Sequence, residues 1–302
     1  MIYDVNGTVI SSGIIDNESM MDNMELDYAY DSASQANYSV IRVFQTKRDG
    51  TKQYPFVRCP SSRTSTAAFA AAEPWSIIIN AGLGVSADQP IDGVAIENGT
   101  VIYNNAATYH LGSQPLTIDA LGNLGYAADD ATGSSLIANN VVENDVVVNG
   151  IVSAICGFCP IIVDYAAVDP LPAVDINGEG NHFTSNAQRQ IIGQFGNGDY
   201  AIVTCAGRNL DNSDGWTMAE AQAICIKLGL KFAYNLDGGK STTTYLGKHP
   251  VYDFQIGTTR IIPSFIVFNG TTRFSLPTAN GQYVSGSGAV STASVSGTTL
   301  VL

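Results

Sequence analysis

Two short apolar segments flank a helical pattern in the second half of the chain. Residues 200–205 (YAIVTC) and 231–236 (KFAYNL) are rich in β-branched and aromatic side chains, which predicts two buried strands. Between them, apolar residues repeat at helical spacing over 218–228, behind a capping-box sequence that begins at Thr217. Gly229 follows, where a left-handed helix cap is expected. The order strand, helix, strand predicts a βαβ unit with parallel strands.

The rest of the chain alternates like antiparallel sheet. Residues 94–163 consist of short β patterns separated by Asn and Gly turns, and 135–140 (SLIANN) is one of them. Residues 65–72 predict a helix, and 75–80 (WSIIIN) predict a buried strand that Asn80 ends. The predicted fold is therefore α+β, with mixed, largely antiparallel sheets, few helices and one βαβ unit that carries the site.

Polar residues follow the two parallel strands, where ligands bind in sheets of this kind. Arg208 follows the first strand, and Asn235, Asp237, Gly238 and Gly239 end the second. An arginine can bind phosphate with two parallel hydrogen bonds, and glycines let backbone N–H groups approach an oxyanion. The alternative interpretation is a tight strand-exit turn with a surface salt bridge.

Two other motifs are rejected on their context. The sequence 239–241 (GKS) resembles the end of a P-loop, but Tyr234 stands where that loop needs glycine, and a strand pattern follows. Cys156 and Cys159 have redox-motif spacing, but they lie between strand patterns instead of at a helix start, so they are interpreted as core residues.

The sequence 235–242 (NLDGGKST) resembles the NLDGGGSST signature of the phosphodiester glycosidase family. Further segments resemble that family's motifs in the same order, so the resemblance extends over about residues 38–268: these are 79–82 (INAG), 90–99, 116–126, 189–193 (RQIIG) and 207–208 (GR). The chain departs from the family pattern where Ala206 replaces an aspartate, Lys240 replaces a glycine and Gly84 replaces an aromatic residue.

The resemblance implies a hydrolase that cleaves a sugar–phosphate diester. It implies that Asn80, Arg189, Arg208, Asp237, Gly238 and Ser241 line the site. The resemblance and the positions of polar residues at strand ends together predict four catalytic residues: Asp237, Arg208, Arg189 and Asp164. The predicted substrate-binding residues are Asn80, Gly82, Asn235, Gly238, Gly239, Ser241, Thr242 and His182.

Each predicted catalytic residue has a chemical role. The arginines and the glycine N–H groups would stabilise the phosphate, and Asp237 would act as nucleophile or electrostatic stabiliser. Three residues are candidates for the base that activates water: Asp164, which ends an apolar strand, His110 and His182.

Composition bears on partners. A net charge of −13 disfavours nucleic acid, no apolar segment approaches the roughly 18 residues that span a bilayer, and no signal peptide is recognisable. The sequence indicates no specific cofactor, and its Asp- and Asn-rich loops leave a divalent cation such as Ca²⁺ open.

Three regions are expected: an acidic attachment segment at 1–37, the glycosidase-like domain at 38–270 and a β-rich tail for assembly at 271–302, of which 274–302 is uncharged. These termini suggest a phage-tail protein in a virion that contacts teichoic acid or capsule, other tail proteins or further copies of itself. The alternative is a structural or receptor-binding protein without catalysis.

Overall fold

The computed structural model describes residues 2–3, 9–11, 23–47, 49–72, 77–84, 91–105, 110–172, 175–176, 182–209, 212–253, 260–268, 281–284, 290–296 and 299–301. Three helices lie in these residues: α1 (Thr66–Ala72), α2 (Gly133–Ile137) and α3 (Met218–Lys227). No helix among them is long and apolar enough to cross a membrane.

Strands make up most of the regular structure. In chain order they are β1 (Ile2–Tyr3), β2 (Val9–Ser11), β3 (Met24–Asp31), β4 (Ala36–Val43), β5 (Pro55–Arg58), β6 (Ile77–Asn80), β7 (Val94–Glu97), β8 (Thr100–Asn104), β9 (His110–Leu111), β10 (Leu116–Asp119), β11 (Leu124–Tyr126), β12 (Val141–Glu143), β13 (Val146–Asn149), β14 (Ile151–Ile155), β15 (Cys159–Val163), β16 (Ala166–Ala167), β17 (Asp175–Ile176), β18 (Arg189–Gln194), β19 (Tyr200–Cys205), β20 (Phe232–Asn235), β21 (Thr243–Leu246), β22 (His249–Asp253), β23 (Phe265–Phe268), β24 (Gly281–Val284), β25 (Val290–Ser296) and β26 (Thr299–Val301).

A seven-stranded sheet with the order β16-β15-β20-β18-β19-β4-β3 contains the predicted βαβ unit. β18 pairs antiparallel with both β19 and β20, so those two strands are parallel to each other, as predicted, but are not neighbours. The capping box is present, with Thr217 and Glu220 each accepting a hydrogen bond from the other's backbone N–H. Gly229 has the expected positive φ of 75°.

Two five-stranded sheets, β11-β10-β14-β7-β8 and β22-β21-β6-β23-β5, pack with one face of the seven-stranded sheet around the main core. Side chains from all three sheets meet there, including Ile79, Ile155 and Tyr234. α3 covers the opposite face of the seven-stranded sheet in a second core, which contains Trp216. The ends of strands from different sheets therefore lie close together along one edge of the main core.

The α+β prediction, with largely antiparallel sheets and few helices, is confirmed. One segment was wrong: 135–140 was predicted as β, but Gly133–Ile137 is helical because Thr132 and Ser135 form a second capping box. Of the predicted strand at 75–80, Ile77–Asn80 is a strand, and 75–76 lie outside the described residues. In the terminal regions, β1 pairs with β2, and β24, β25 and β26 form a small antiparallel sheet.

Candidate functional site

Asp237 lies just beyond the carboxyl end of β20, where two sheets meet. Its backbone N–H donates to Ala81 O at 3.0 Å, and its carbonyl accepts from Asn80 Nδ2 at 2.6 Å. The side-chain oxygen of Asn80, Oδ1, accepts a hydrogen bond from the Thr243 N–H at 3.0 Å. Asn80, 1% exposed, therefore uses its side chain to fix the backbone around Asp237. Asn80 was predicted to bind substrate, and in the structure both polar atoms of its side chain are bonded to backbone groups next to Asp237.

Gly82 permits the close approach of the strand ends next to Asn80. A Cβ atom built on Gly82 would lie 2.7 Å from both Cys156 O and a side-chain carbon of Ile155. The Gly82 N–H donates to Ser264 Oγ at 2.9 Å. Gly82 is thus a packing residue behind the site, and its backbone N–H is already paired.

The Asp237 carboxyl group is buried, with 6% of the residue exposed. Burial raises the pKa of Asp237, and this effect outweighs the Ser241 hydroxyl, the neighbouring Arg260 and His110 side chains and the Gly238 N–H, all of which favour the carboxylate. A desolvated carboxylate surrounded by fixed donors suits an electrostatic or nucleophilic role, because solvent does not screen its charge.

Two guanidinium groups lie against the 3₁₀ turn Gly239–Ser241, and a third, that of Arg63, is near one of them. Arg260 Nε donates to Ser241 Oγ at 3.2 Å, and a Cβ atom on Gly239 would lie 3.2 Å from Arg208 Nη1. Burial and the charge of Arg260 lower the pKa of Arg63. A β-bridge between Thr64 and Ile262 holds the Arg63 and Arg260 segments together.

Such a concentration of positive charge suits an anion. Among the described residues, neither Arg208 nor Arg260 forms a salt bridge within the 4.0 Å N–O limit. Both guanidinium groups carry donors that suit phosphate oxygens, and both lie against the same turn. The side chains of this turn and its neighbours thus form an anion-binding candidate next to the buried carboxylate.

The two glycines were predicted to supply N–H groups to an oxyanion, and this prediction is wrong. Gly238 N–H donates to its neighbour's carboxylate, Asp237 Oδ1, at 2.8 Å, and Gly239 N–H donates to Gln188 O at 3.0 Å. A Cβ atom on Gly238 would lie 2.7 Å from Gln188 O. The glycines are needed because β18 runs so close to this turn, and φ of Gly239 is +58°.

Arg189 was predicted to contact phosphate, but its guanidinium lies inside the protein. Arg189 is 3% exposed; its Nε donates to Trp216 O at 2.9 Å, and its Nη2 donates to His182 O and Ser185 O at 2.7 and 2.9 Å. Burial lowers the pKa of Arg189 to about 10. Arg189 is therefore a positioning residue that ties three carbonyls to the start of β18. Through its carbonyl, His182 is one of those three anchors.

Asp164 was predicted as a second catalytic carboxylate, and the sheet register contradicts this. Cys159, at the start of β15, pairs with Asn235, so Asp164 lies about 16 Å further along, at the opposite end of the sheet. It is exposed, with φ +48°, and Tyr165 has φ +68°. The two residues form the tight turn between β15 and β16, a position that favours Asp and Asn.

Two further predicted residues, Asn235 and Thr242, are completely buried. Asn235 Nδ2 donates to Leu236 O at 2.9 Å, and Asn235 points to the face that α3 covers, because alternate residues of β20 face the two cores. Within the described part of the chain, Asn235 Oδ1 and Thr242 Oγ1 have no hydrogen-bond partner. Both residues flank the Asp237 turn in sequence, and the structure shows no surface through which either reaches solvent.

His110 and Asp92 form a buried pair beside Asp237. Each is 2% exposed or less, and Asp92 Oδ2 accepts from His110 N–H at 2.8 Å and lies 3.5 Å from His110 Nδ1. The His110 ring packs edge-on against Phe158, with 4.9 Å between centroids. Phe158 N–H in turn donates to Asn235 O at 3.1 Å, which links His110 to the strand that carries Asp237.

The cysteines are structural. All five are free; burial raises the pKa of Cys156 to about 11 and that of Cys159 to about 12, so both are thiols at neutral pH. Within the described residues, no group of three or more His, Cys, Asp or Glu side chains is arranged to hold a metal ion.

Comparison with known proteins identifies the family of the chain. Residues 75–269 match the family model for phosphodiester glycosidases. This chain belongs to the phosphodiester glycosidase family. The match includes Asp92, His110, Asp237 and Arg260, whereas Arg63 lies outside it. No curated protein sequence matches the chain.

Solved structures share the fold at low identity. The catalytic domain of zebrafish N-acetylglucosamine-1-phosphodiester alpha-N-acetylglucosaminidase, auto-inhibited by its pro-peptide, is 15% identical with a TM-score of 0.61, and the match covers 81% of each chain. An exported protein of Burkholderia pseudomallei is 12% identical with a TM-score of 0.52, over 77% of this chain and 74% of that one. A hypothetical protein of Synechocystis is 14% identical with a TM-score of 0.50, and the match covers 81% of this chain and 61% of that one.

Sequence reasoning missed three residues of the candidate site: Arg63, Asp92 and Arg260. Arg260 immediately precedes the apolar segment that contains β23, just as Arg189 precedes the apolar strand β18. That parallel was available from the sequence. Arg63 and Asp92 sit in polar loops without a local pattern, and only the tertiary fold places them near the other site residues.

Proposed function

We propose that this chain hydrolyses a sugar–phosphate diester at the bond between the sugar's anomeric carbon and the phosphate oxygen. The observation that carries the proposal is the buried Asp237 carboxylate near Arg208 and Arg260, neither of which forms a salt bridge with another described residue. The carboxylate suits the positive charge that develops on the sugar, and the arginines suit the negative charge on the departing phosphate.

The roles follow from the contacts. Arg208 and Arg260 bind phosphate oxygens, with Arg63 and Lys240 adding positive charge at the rim. Ser241 links the two halves, because its hydroxyl contacts both Arg260 and the Asp237 carboxylate. Asp237 acts as nucleophile or electrostatic stabiliser for the anomeric carbon.

The substrate class we propose is a phosphate-containing glycan of a bacterial surface, such as teichoic acid or capsule. The zebrafish relative is named for an N-acetylglucosamine-1-phosphodiester, which supports a sugar 1-phosphate diester as the reacting group. We further propose that the protein acts in a phage tail, together with other tail proteins or further copies of itself. The acidic segment 1–37 and the uncharged segment 274–302, both outside the family match, would serve as attachment regions there.

The test is release of free reducing sugar from UDP-N-acetylglucosamine, from a nitrophenyl sugar phosphodiester and from purified teichoic acid. We expect release by the wild-type protein and none by Asp237→Asn, with both proteins folded by circular dichroism. A negative result with all three substrates, combined with retained binding to purified glycan, would replace the enzyme with a binding protein. Ala206 favours that second candidate, since it is buried in the core where the family usually has an aspartate.

A further inference from the structure

We propose that His110, oriented by Asp92, is the base that takes a proton from the water consumed in the reaction. This inference rests on the proposed hydrolysis and adds to it a residue with a distinct chemical role. It begins from a pair of buried polar groups that the phosphate-binding turn does not explain.

The first step of the argument is the geometry of the pair. Asp92 Oδ2 accepts the His110 backbone N–H at 2.8 Å and lies 3.5 Å from Nδ1 of the same residue. One carboxylate oxygen thus holds both the main chain and the near side of the ring. Because Nε2 is on the other side of an imidazole from Nδ1, the ring presents Nε2 away from Asp92.

The second step is the position of the ring relative to Asp237. His110 is one of the groups that favour the carboxylate form of Asp237, so the two side chains lie in the same part of the site. Phe158 packs edge-on against the ring, and its N–H is bonded to the β20 carbonyl two residues before Asp237. Phe158 therefore links the His110 ring, which Asp92 orients, to the strand that leads into Asp237.

The third step concerns the free energy that is lost when Asp92 and His110 are buried. Burying a carboxylate and an imidazole out of water is unfavourable unless they are paired, and an apolar pair would stabilise a core of this kind better. Among the described residues, the charged or titratable groups near His110 include Asp92 and Asp237, and the thiol of Cys156 lies near Asp92. An oriented imidazole next to a reactive carboxylate has the arrangement of a general base and its orienting partner.

The reaction balances as follows. The oxygen of water forms a bond to the anomeric carbon while His110 Nε2 takes a proton from that water. The bond between the anomeric carbon and the phosphate oxygen breaks, and its electron pair leaves with the phosphate. The products are the free sugar and a phosphate monoester, and His110 then releases its proton to solvent.

The experiment compares pH profiles of kcat/KM from pH 5 to pH 8 for wild type, His110→Asn, Asp92→Asn and His249→Asn. The substitution His110→Asn keeps a donor for Asp92 and removes the distal nitrogen. His249, on the hairpin β21–β22, is the matched control. We expect His110→Asn to lose about 10²–10⁴-fold in kcat/KM at pH 7.5 and to show a flat profile, because an imidazole changes charge in this range. Asp92→Asn should lose less, about 10-fold, and keep a pH-dependent profile with its midpoint displaced.

Each outcome decides something. If wild type releases sugar and His110→Asn stays within threefold of it with the same acid limb, the base is another group and only this inference fails. If His110→Asn does not fold, Asp92→Asn decides: a rate and midpoint equal to those of wild type overturn the inference. If wild type releases no sugar, the proposed hydrolysis itself fails and this inference falls with it. A merely structural role would lower the melting temperature of the variants without flattening the profile.

Discussion

Two aspartates, Asp237 and Asp164, each follow a buried strand of the same sheet, but only Asp237 lies in the candidate site. Asp237 lies where strand ends from two sheets meet, and it is enclosed by Ser241, Arg260 and His110. Asp164 occupies an exposed two-residue turn at the other end, where only its tolerance of positive φ is used. An aspartate after an apolar strand thus becomes a site residue only where other strands supply donors around it.

The sharpest test of this comparison is removal of each charge in turn. Asp237→Asn should reduce sugar release by at least about 10³-fold, since it removes the charge that opposes the developing cation. Asp164→Asn should leave the rate within about twofold of wild type. Steady-state kinetics on a nitrophenyl sugar phosphodiester measures both, and equal losses in the two variants would contradict the assignment.

Two arginines extend the comparison from carboxylates to cations. Exposed Arg208→Gln should lower kcat/KM about 10²-fold, because it removes a charged phosphate contact, with little change in melting temperature.

Buried Arg189→Gln should instead lower the free energy of unfolding by about 3 kcal/mol, because the backbone carbonyls it serves lose charged donors. Urea unfolding monitored by circular dichroism, run beside the kinetics, separates the two effects. A stable Arg189→Gln protein with lost activity would return Arg189 to the phosphate-binding group.

Glycines offer a finer version of the same contrast. Gly239 and Gly229 both have positive φ, at 58° and 75°, but only Gly239 faces another side chain, Arg208. Changing either to alanine should cost about 1 kcal/mol of stability from backbone strain. Only Gly239→Ala should also reduce activity, which thermal melts and rate measurements on both variants would check.

The smallest expected effect concerns pH and stability. Burial raises the pKa of Asp237, so the folded protein holds this proton to higher pH than the unfolded chain does. Above the pKa of Asp237 in the folded protein, the ionised carboxylate therefore lowers the free energy of unfolding. Below the ordinary pKa of an aspartate, the group is protonated in both states and this loss of stability disappears. Asp237→Asn should melt a few degrees higher than wild type at pH 7 and no higher at pH 3. Equal melting temperatures at both pH values would contradict the direction of this shift.

Local patterns in the sequence predict much of this fold. Thr217 and Glu220 mark the start of α3, Gly229 marks its end, and the apolar segments on either side become β19 and β20. Those signals depend on residues a few positions apart. β18 lies between the two parallel strands because of pairing across the whole sheet, which no local pattern encodes.

The site was harder to predict than the fold for the same physical reason. Asp237 and Arg208 are visible as polar residues at strand ends, but the approach of Gln188 to the glycine turn is tertiary, and it occupies the Gly239 N–H. Likewise, the burial of Arg189 depends on Trp216 and the segment before β18. Which donors remain for a ligand is decided by these distant contacts.

The hydrogen bond between Asn80 and the Asp237 carbonyl joins residues that are 157 positions apart. A chain emerging from the ribosome carries Asn80 long before its partner exists, and Arg260 arrives later still. Closing so long a loop is among the slow events of folding, so the site forms only when nearly the whole domain has been made and has paired. Activity would therefore report completed folding: an unfinished or partly unfolded copy holds all the early strands but no assembled site.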